Sequence, residues 1–225
     1  MLRFYTINAL ALVVFFGLLL AGFFGDVPAW LYILFIFIWV IITAIGSFQI
    51  RWNYHLRSLN HNHQISENYI SITFDDGPHP EFTPKVLSLL KEYNAKATFF
   101  LIGKNAEMHP AELRQTNSIL KKITGKEVKL FRPPFGVTNP NIKHALKKTG
   151  HLSIGWNKRS FDTTNLSEKR ILRRITSNLK KGDIILLHDS SAKTVAVLEQ
   201  LLLTLQPHKL QSVPVNRLLE IEAYA

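Results

Sequence analysis

Residues 69–78, Tyr-Ile-Ser-Ile-Thr-Phe-Asp-Asp-Gly-Pro, decide the fold of this 225-residue chain. The first six are rich in β-branched and aromatic residues, which is typical of a buried strand, and the last four suit a turn. Two adjacent carboxylates after a strand also suit a site in which one binds a cation while the other stays ionised as a base. Taken alone, Asp-Asp-Gly-Pro favours the turn.

From Tyr69 onward, short β-rich runs alternate with segments of helical period, which predicts an α/β fold with a largely parallel sheet. Strands are predicted at 69–74, 97–102, 128–132, 152–156 and 183–187, with a weak one near 210–213. Asn139-Pro140 starts a helix that Gly150 stops, and Ser167 caps a helix that runs to Gly182. In such folds, reactive residues gather at the carboxyl ends of the strands.

Two further polar clusters follow predicted strands. In Phe-Arg-Pro-Pro-Phe-Gly, residues 131–136, a buried Arg132 would hold a carboxylate, and the rigid Pro-Pro turn would present backbone N–H groups to an oxyanion. In Leu-Leu-His-Asp, residues 186–189, His188 stands where a general acid is needed. A lone histidine is more often a structural residue, so the interpretation depends on the clusters occurring together.

Together, TFDDGP, RPPFG and LLHD, in this order and each after a strand, resemble the NodB-homology polysaccharide deacetylases, carbohydrate esterase family 4. The resemblance extends from Tyr69 to Ile221 and includes the ATFFLIG and ITGK segments. It implies a distorted (β/α) barrel that removes N-acetyl, or sometimes O-acetyl, groups from sugars such as N-acetylglucosamine with a divalent metal, usually zinc.

The resemblance also implies roles for individual residues. Asp75 would be the general base and Asp76 a metal ligand, while Arg132 would fix and tune Asp75. His188 would protonate the leaving amine, with Asp162 tuning its basicity. The acetyl and oxyanion site would be formed by the turn at Pro134, the N–H of Phe135 and the side chain of Leu186.

The sequence departs from the family at its second motif, H-[ST]-x-x-H, which supplies two metal-binding histidines. Residues 103–113 run directly into 114–120, as if one β-α unit had been excised, and no two of the nine histidines are four residues apart. We therefore expect an incomplete barrel. With Asp76 as the one secure ligand, metal affinity should fall steeply unless His79 and His109 replace the missing pair.

The fourth motif also departs from the family. Where relatives resemble D-x-x-D-W, Arg159 stands at the first aspartate and Thr163 at the tryptophan, so that Asp162 alone is retained. Two hypotheses remain open for the chain. It is a metal-dependent deacetylase of an envelope glycan or lipid-linked sugar, or it is a catalytically impaired relative that binds glycan without hydrolysis.

The N-terminal part differs in composition from the rest. Residues 4–25 and 27–50 carry no charge, and each run is long enough as a helix to cross a hydrocarbon core of about 30 Å. We expect a transmembrane hairpin over 1–54, with spans at 4–25 and 28–50 and a turn at Gly25–Pro28. A signal peptide followed by an anchor, and a pair of core helices, are the alternatives.

A hairpin returns the chain to its starting side, so the N-terminus and the domain at 69–225 should share a compartment. Arg3, Arg51 and Arg57 flank that side, which by the positive-inside rule favours a cytoplasmic domain on a bacterial inner or plasma membrane. Residues 55–68 are expected to form a polar linker. Within it, His61 and His63 could bind metal, but such pairs are more often solvated.

Composition excludes several classes of site. The chain has no cysteine, which excludes disulfides, thiolate zinc sites and cysteine nucleophiles. The net charge of +11 would suit a protein that binds nucleic acid, but no nucleic-acid-binding motif accompanies it. Solvated helix faces near an anionic membrane explain the pairs of adjacent basic residues more simply. The expected partners are an acetylated carbohydrate and the bilayer, with no nucleic acid, and no obligate protein partner is indicated.

Overall fold

The computed structural model describes residues 3–101 and 110–225. Within these residues the chain forms eight α-helices and eight β-strands, several of the strands only two residues long. The helices are α1 (Phe4–Phe24), α2 (Ala29–Phe48), α3 (Phe82–Glu92), α4 (Pro110–Thr124), α5 (Pro140–Thr149), α6 (Glu168–Thr176), α7 (Ala192–Leu205) and α8 (Val215–Leu219). The strands are β1 (Ser58–Leu59), β2 (Tyr69–Asp75), β3 (Ala97–Phe100), β4 (Leu130–Phe131), β5 (Leu152–Ile154), β6 (Lys158–Arg159), β7 (Ile184–His188) and β8 (Gln211–Ser212).

All paired strands run parallel, in two sheets. One sheet has the order β1-β5-β4, and the other has the order β3-β2-β7-β6, with β8 also paired to β2. This confirms the predicted α/β class with parallel strands. β3 and β4 are edge strands, and between them the described part of the chain contributes α4 but no strand.

The central strands β2 and β7 separate two apolar clusters. Ile72 and Phe74 of β2 pack with Leu187 of β7 against α3, α6 and α7. The alternate residues of β7, among them Leu186, point to the other face of the sheet, where they pack with Trp156 in a second cluster. The face of β2 that carries its polar residues therefore lies on the side of the second cluster.

One predicted helix ends earlier than the sequence suggested. α5 begins at the Asn139 cap and ends before Gly150, as predicted. α6, expected to reach Gly182, ends at Thr176. The ammonium group of Lys158 donates hydrogen bonds to the carbonyls of Ser177 and Asn178, so a residue distant in sequence satisfies the backbone at the end of this helix.

α1 and α2 lie antiparallel. The Tyr32 hydroxyl donates to the Leu18 carbonyl at 3.0 Å, and the Trp39 indole donates to the Asn8 side chain at 3.2 Å. Both helices are long and apolar enough to cross a bilayer, and each has a single buried residue, Ile7 in α1 and Gly46 in α2. They are therefore not core helices of the described chain, because their apolar side chains remain uncovered.

The segment 55–68 is packed against the domain and differs from the expected polar linker. β1 pairs with β5, and Leu56 and Ile65 are buried. The rings of His61 and His63 stack at 4.3 Å, and the His63 imidazole lies 2.8 Å from the buried Asp183 carboxylate. The polar composition of this segment reflects buried hydrogen bonds as well as solvent exposure.

Candidate active site

The candidate site lies at the carboxyl ends of β2 and β7. Asp75 and His188 are paired residues in the register of these two strands, so their side chains lie next to each other on the same face of the sheet. β4 brings Arg132 to this edge, and the loop after β6 brings Asp162. The structure thus groups the four residues that the sequence suggested as acid–base and positioning groups.

Arg132 holds Asp75 in place. Its guanidinium donates to the Asp75 carboxylate at 2.6 Å and to the Thr73 hydroxyl at 2.9 Å, while two backbone carbonyls, those of Ile154 and Gly155, accept its remaining hydrogen bonds. Burial raises the pKa of Asp75, and the positive charge of Arg132 offsets only part of that effect. A carboxylate with a raised pKa accepts a proton more readily, as a general base must.

His188 is held by a second carboxylate. Its Nδ1 lies 2.8 Å from one oxygen of Asp162, and its backbone N–H donates to the other oxygen at 2.8 Å. Burial lowers the pKa of His188, but the hydrogen bond and charge of Asp162 together with the charges of Asp75 and Asp76 outweigh it, so the pKa is raised overall. The Asp162 contact fixes the ring and leaves Nε2 facing Asp76, whose carboxylate lies 3.9 Å away.

Two side chains that sequence reasoning left out support Asp162. The Ser160 hydroxyl donates to Asp162 at 2.7 Å, and the Thr194 hydroxyl, near the start of α7, donates to it at 2.9 Å. Burial acts to raise the pKa of Asp162, but its contacts to His188 and Ser160 lower it overall. No sequence signal marks Thr194, because it reaches Asp162 only through the packing of α7.

Two of the expected oxyanion residues, Pro134 and Phe135, follow shortly after Arg132 in the chain. Phe135 has a left-handed backbone with φ 56°, its side chain is exposed, and its N–H donates to no other described residue. Pro134 opens the short 3₁₀ turn that carries it. Leu186 is buried two residues before His188. An N–H group held free in a rigid turn can donate to a developing oxyanion.

The described residues do not form a metal site. Among them, no three His, Asp or Glu side chains lie together as a metal ion requires, and Asp76 is half-exposed. His79 uses Nδ1 to accept hydrogen bonds from the N–H groups of Glu81 and Phe82 at the start of α3, so in the neutral ring Nε2 carries the proton. His79 is therefore a helix-capping residue here, contrary to the suggestion that it replaces a ligand. His109 lies outside the described residues.

Asp189, which follows His188, makes a contact that the sequence did not suggest. It is fully buried and accepts a hydrogen bond from the Thr83 hydroxyl, which in turn accepts one from the His79 N–H at 2.7 Å. Its carboxylate lies so close to Gly77 that a Cβ atom there would meet it at 2.5 Å. Asp189 thus braces the turn that follows Asp76.

Comparisons with known proteins identify the family. The polysaccharide deacetylase family model matches residues 62–118 and 110–154. A peptidoglycan-N-acetylglucosamine deacetylase of Bacillus cereus is 35% identical over 190 residues, covering 68% of this chain and 89% of the relative. The chain belongs to the polysaccharide deacetylase family.

Solved structures agree with this assignment. The crystal structure of a peptidoglycan N-acetylglucosamine deacetylase superposes with a TM-score of 0.63 at 24% identity, covering 75% of this chain and 94% of that one. A mutant described as a family 4 pseudoenzyme with restored enzymatic activity superposes with a TM-score of 0.62 at 22% identity, covering 71% and 70%. These two likenesses show that this chain shares their fold.

The comparisons also bear on the second motif. The two segments matched by the family model overlap at residues 110–118, next to the region where the sequence lacks H-[ST]-x-x-H. The alignment to the Bacillus cereus relative spans 190 positions but includes only 68% of these 225 residues. That relative therefore carries residues with no counterpart here, which is consistent with a shortened polysaccharide deacetylase domain.

Proposed function

We propose that this chain is a membrane-anchored hydrolase of the polysaccharide deacetylase type, which removes acetyl groups from N-acetylated sugars of an envelope glycan or lipid-linked saccharide. One observation carries the proposal: Asp75 and His188 lie side by side, and each is held by its own oppositely charged partner. Amide hydrolysis needs a base and an acid on either side of the reacting carbonyl, and this arrangement supplies both.

Each residue of the site has a separate role in the reaction. Asp75 takes a proton from the attacking water as the water oxygen bonds to the acetyl carbon, and the Phe135 N–H donates to the oxygen that becomes negatively charged. His188 then gives its proton to the sugar nitrogen as the carbon–nitrogen bond breaks. The products are acetate and a free amino sugar. Arg132 and Asp162 act as positioning residues that keep Asp75 and His188 aligned.

Membrane anchoring is supported by the exposed apolar surfaces of α1 and α2, which no other described element covers. Because the two helices lie antiparallel, the domain and the N-terminus would share one side of the bilayer. The flanking arginines Arg3, Arg51 and Arg57 favour the cytoplasmic side. Resistance to alkaline extraction from membranes tests the anchor, and a topology reporter fused after Ala225 tests the side. Release of the chain by alkali would refute the anchor.

A second candidate function is glycan binding without hydrolysis. It is favoured by the lack of a group of metal ligands among residues 3–101 and 110–225, because the family's chemistry is metal-dependent by resemblance. One solved relative is itself described as a pseudoenzyme. In this case the base and acid would be intact, but the chain would bind the acetylated sugar and release no acetate.

One experiment separates the two functions. The detergent-solubilised full chain is incubated with N-acetylglucosamine oligomers and zinc, and acetate release, oligomer binding and bound zinc are measured. The hydrolase should release acetate, and Asp75→Asn should slow it by about 10²–10⁴-fold while the surface control Glu92→Gln leaves it unchanged. If the chain binds oligomers but releases no acetate, and an inserted H-[ST]-x-x-H segment restores both zinc and activity, the second function is correct. Acetate release that Asp75→Asn leaves unaltered would refute the assignment of the base.

A further inference from the structure

A strongly basic cavity of about 580 Å³ lies beside the candidate site, between the end of α2, the segment from Trp156 to Phe161, and α6. Its lining contains no acidic residue. The cationic side chains that line it are Arg51, Lys158, Arg159, Arg170, Arg173 and Arg174. Its volume is that of an ordinary small-molecule site, and its charge selects an anion.

Two arginines of this cavity, Arg159 and Arg174, are held in place by contacts that leave their charge uncompensated. The guanidinium groups of Arg159 and Arg174 both lie over the Phe161 ring, at 4.8 and 4.4 Å, and Arg174 donates to the Arg159 carbonyl. No carboxylate in the described part of the chain lies within ion-pair distance of Arg159, Arg170, Arg173 or Arg174. Guanidinium groups without a carboxylate partner suit a phosphate, whose oxygens can accept two parallel hydrogen bonds from one guanidinium.

The cavity begins where the second apolar helix ends. Phe48, Ile50 and Arg51 line it, and the Arg51 guanidinium donates to the Asn157 carbonyl on its opposite wall. With α2 inserted in a bilayer, this end of the helix lies at the level of the lipid headgroups. Arginines at this depth meet lipid phosphates directly.

The cavity also borders the candidate site. The Trp156 ring lines it and lies 5.6 Å from the Arg159 guanidinium and 5.3 Å from that of Arg132. On the other wall, Phe161 directly precedes Asp162, the partner of His188. The cavity and the candidate site are therefore separated by Trp156 and by the segment that carries Phe161 and Asp162.

We propose that this cavity binds the phosphate of an anionic lipid at the bilayer surface. Two sources share this chemistry: the headgroup of an anionic phospholipid, and the phosphate that joins a saccharide to its lipid carrier. The inference rests on the proposed membrane anchoring. If the phosphate is that of a lipid carrier, the inference also narrows the proposed substrates to lipid-linked saccharides. The sugar of a lipid-linked saccharide held in this way would extend from the cavity towards Asp75 and His188.

Native mass spectrometry of the detergent-solubilised full chain tests the proposal by counting lipid adducts. The probes are dioleoyl phosphatidylglycerol, dioleoyl phosphatidylcholine and farnesyl-diphosphate-linked N-acetylglucosamine. We expect the two anionic probes to bind and the zwitterionic probe to bind at least about tenfold more weakly. The double variant Arg159→Gln/Arg173→Gln should lose about tenfold in anionic-lipid affinity, whereas Lys121→Gln/Lys122→Gln, with the same charge loss on α4, should lose none.

The two possible sources of the phosphate are distinguished by comparing how tightly the two anionic probes bind. Equal binding of both anionic probes supports the phospholipid headgroup, and stronger binding of the diphosphate saccharide supports the lipid-linked substrate. Equal binding of phosphatidylglycerol and phosphatidylcholine, or an equal loss in both double variants, overturns the proposal. If the double variant at the cavity does not fold, Arg170→Gln alone takes its place. Binding is measured without turnover, so a chain that binds lipid but releases no acetate refutes the hydrolase and not the cavity.

Discussion

Replacing Arg132 with methionine tests the arrangement on which the candidate site depends. The Arg132 side chain is only 2% exposed, and its guanidinium lies over the Phe100 ring at 4.1 Å. Methionine fills most of the same apolar space but removes every hydrogen bond that the guanidinium makes. The Asp75 carboxylate, 18% exposed, then stays in the same surroundings without its counter-charge.

The expected cost follows from that uncompensated charge. Removing one partner of a buried ion pair costs about 3–5 kcal/mol, and the partial exposure of Asp75 places Arg132→Met near the lower end of that range at pH 8. Because burial already raises the pKa of Asp75, the folded state binds a proton more tightly than the unfolded state. The free energy of unfolding therefore decreases as the pH rises from the ordinary pKa of a carboxyl group in the unfolded chain to the raised pKa of Asp75. Arg132→Met should make this decrease steeper.

A double-mutant cycle isolates the pair. Urea unfolding of the detergent-solubilised chain, followed by tryptophan fluorescence, gives free energies of unfolding for Arg132→Met, Asp75→Asn and both together. The double variant should recover most of the loss, since it leaves no buried charge. The exposed pair Lys121–Glu127 is the control, with a coupling near zero because solvent screens it. A cost for Arg132→Met that does not change between pH 5 and pH 8 would show that Asp75 is not a buried anion.

Two further predictions concern the same region. Asp162→Asn removes a negative charge that raises the pKa of His188. The alkaline limb of the pH profile of kcat/KM for acetate release should therefore move to lower pH. An unmoved limb would show that His188 is not the acid. Gly136→Ala should cost roughly 2–4 kcal/mol in thermal unfolding, because its Cβ would meet the Trp156 ring at 2.5 Å and the backbone is left-handed. Gly125→Ala, also left-handed but with nothing within 4 Å, should cost about 1 kcal/mol, and equal costs would contradict the packing at Trp156.

Much of the fold could be predicted because its strong signals are local. The apolar run of β2 and the Asn139-Pro140 pair that starts α5 can each be recognised from the residues themselves. The structure has a strand and a helix at these positions. The two-residue strands β1 and β6 are too short to show any period, and they exist because β5 and β7 pair with them. The turn that follows α6 also contacts a distant side chain, that of Lys158.

The grouping of the site residues could likewise be predicted, because parallel strands bring their carboxyl ends to one edge. This places Asp75 and His188 at the same edge, whereas the neighbouring positions of their strands are known only from the structure. The sequence could not show that His79 caps α3, since that depends on the rotation of its ring towards the helix start. Nor could it show the contact between Thr194 and Asp162, which arises only when α7 packs beside α6.

The junction between α2 and the domain constrains which substrates the proposed hydrolase can reach. Ile50, two residues after α2, is buried in the same cluster as Trp156 and Leu186, so the apolar helix and the candidate site belong to one packed unit. The Thr138 N–H, shortly after the turn with Phe135, donates to the carbonyl of Ser47 in α2 at 2.8 Å. A flexible linker would let the domain reach glycan far from the bilayer, but this junction holds the site close to the end of α2. With α2 in the membrane, the acetylated sugar must therefore come to the bilayer surface, which favours a lipid-linked saccharide over a distant polymer.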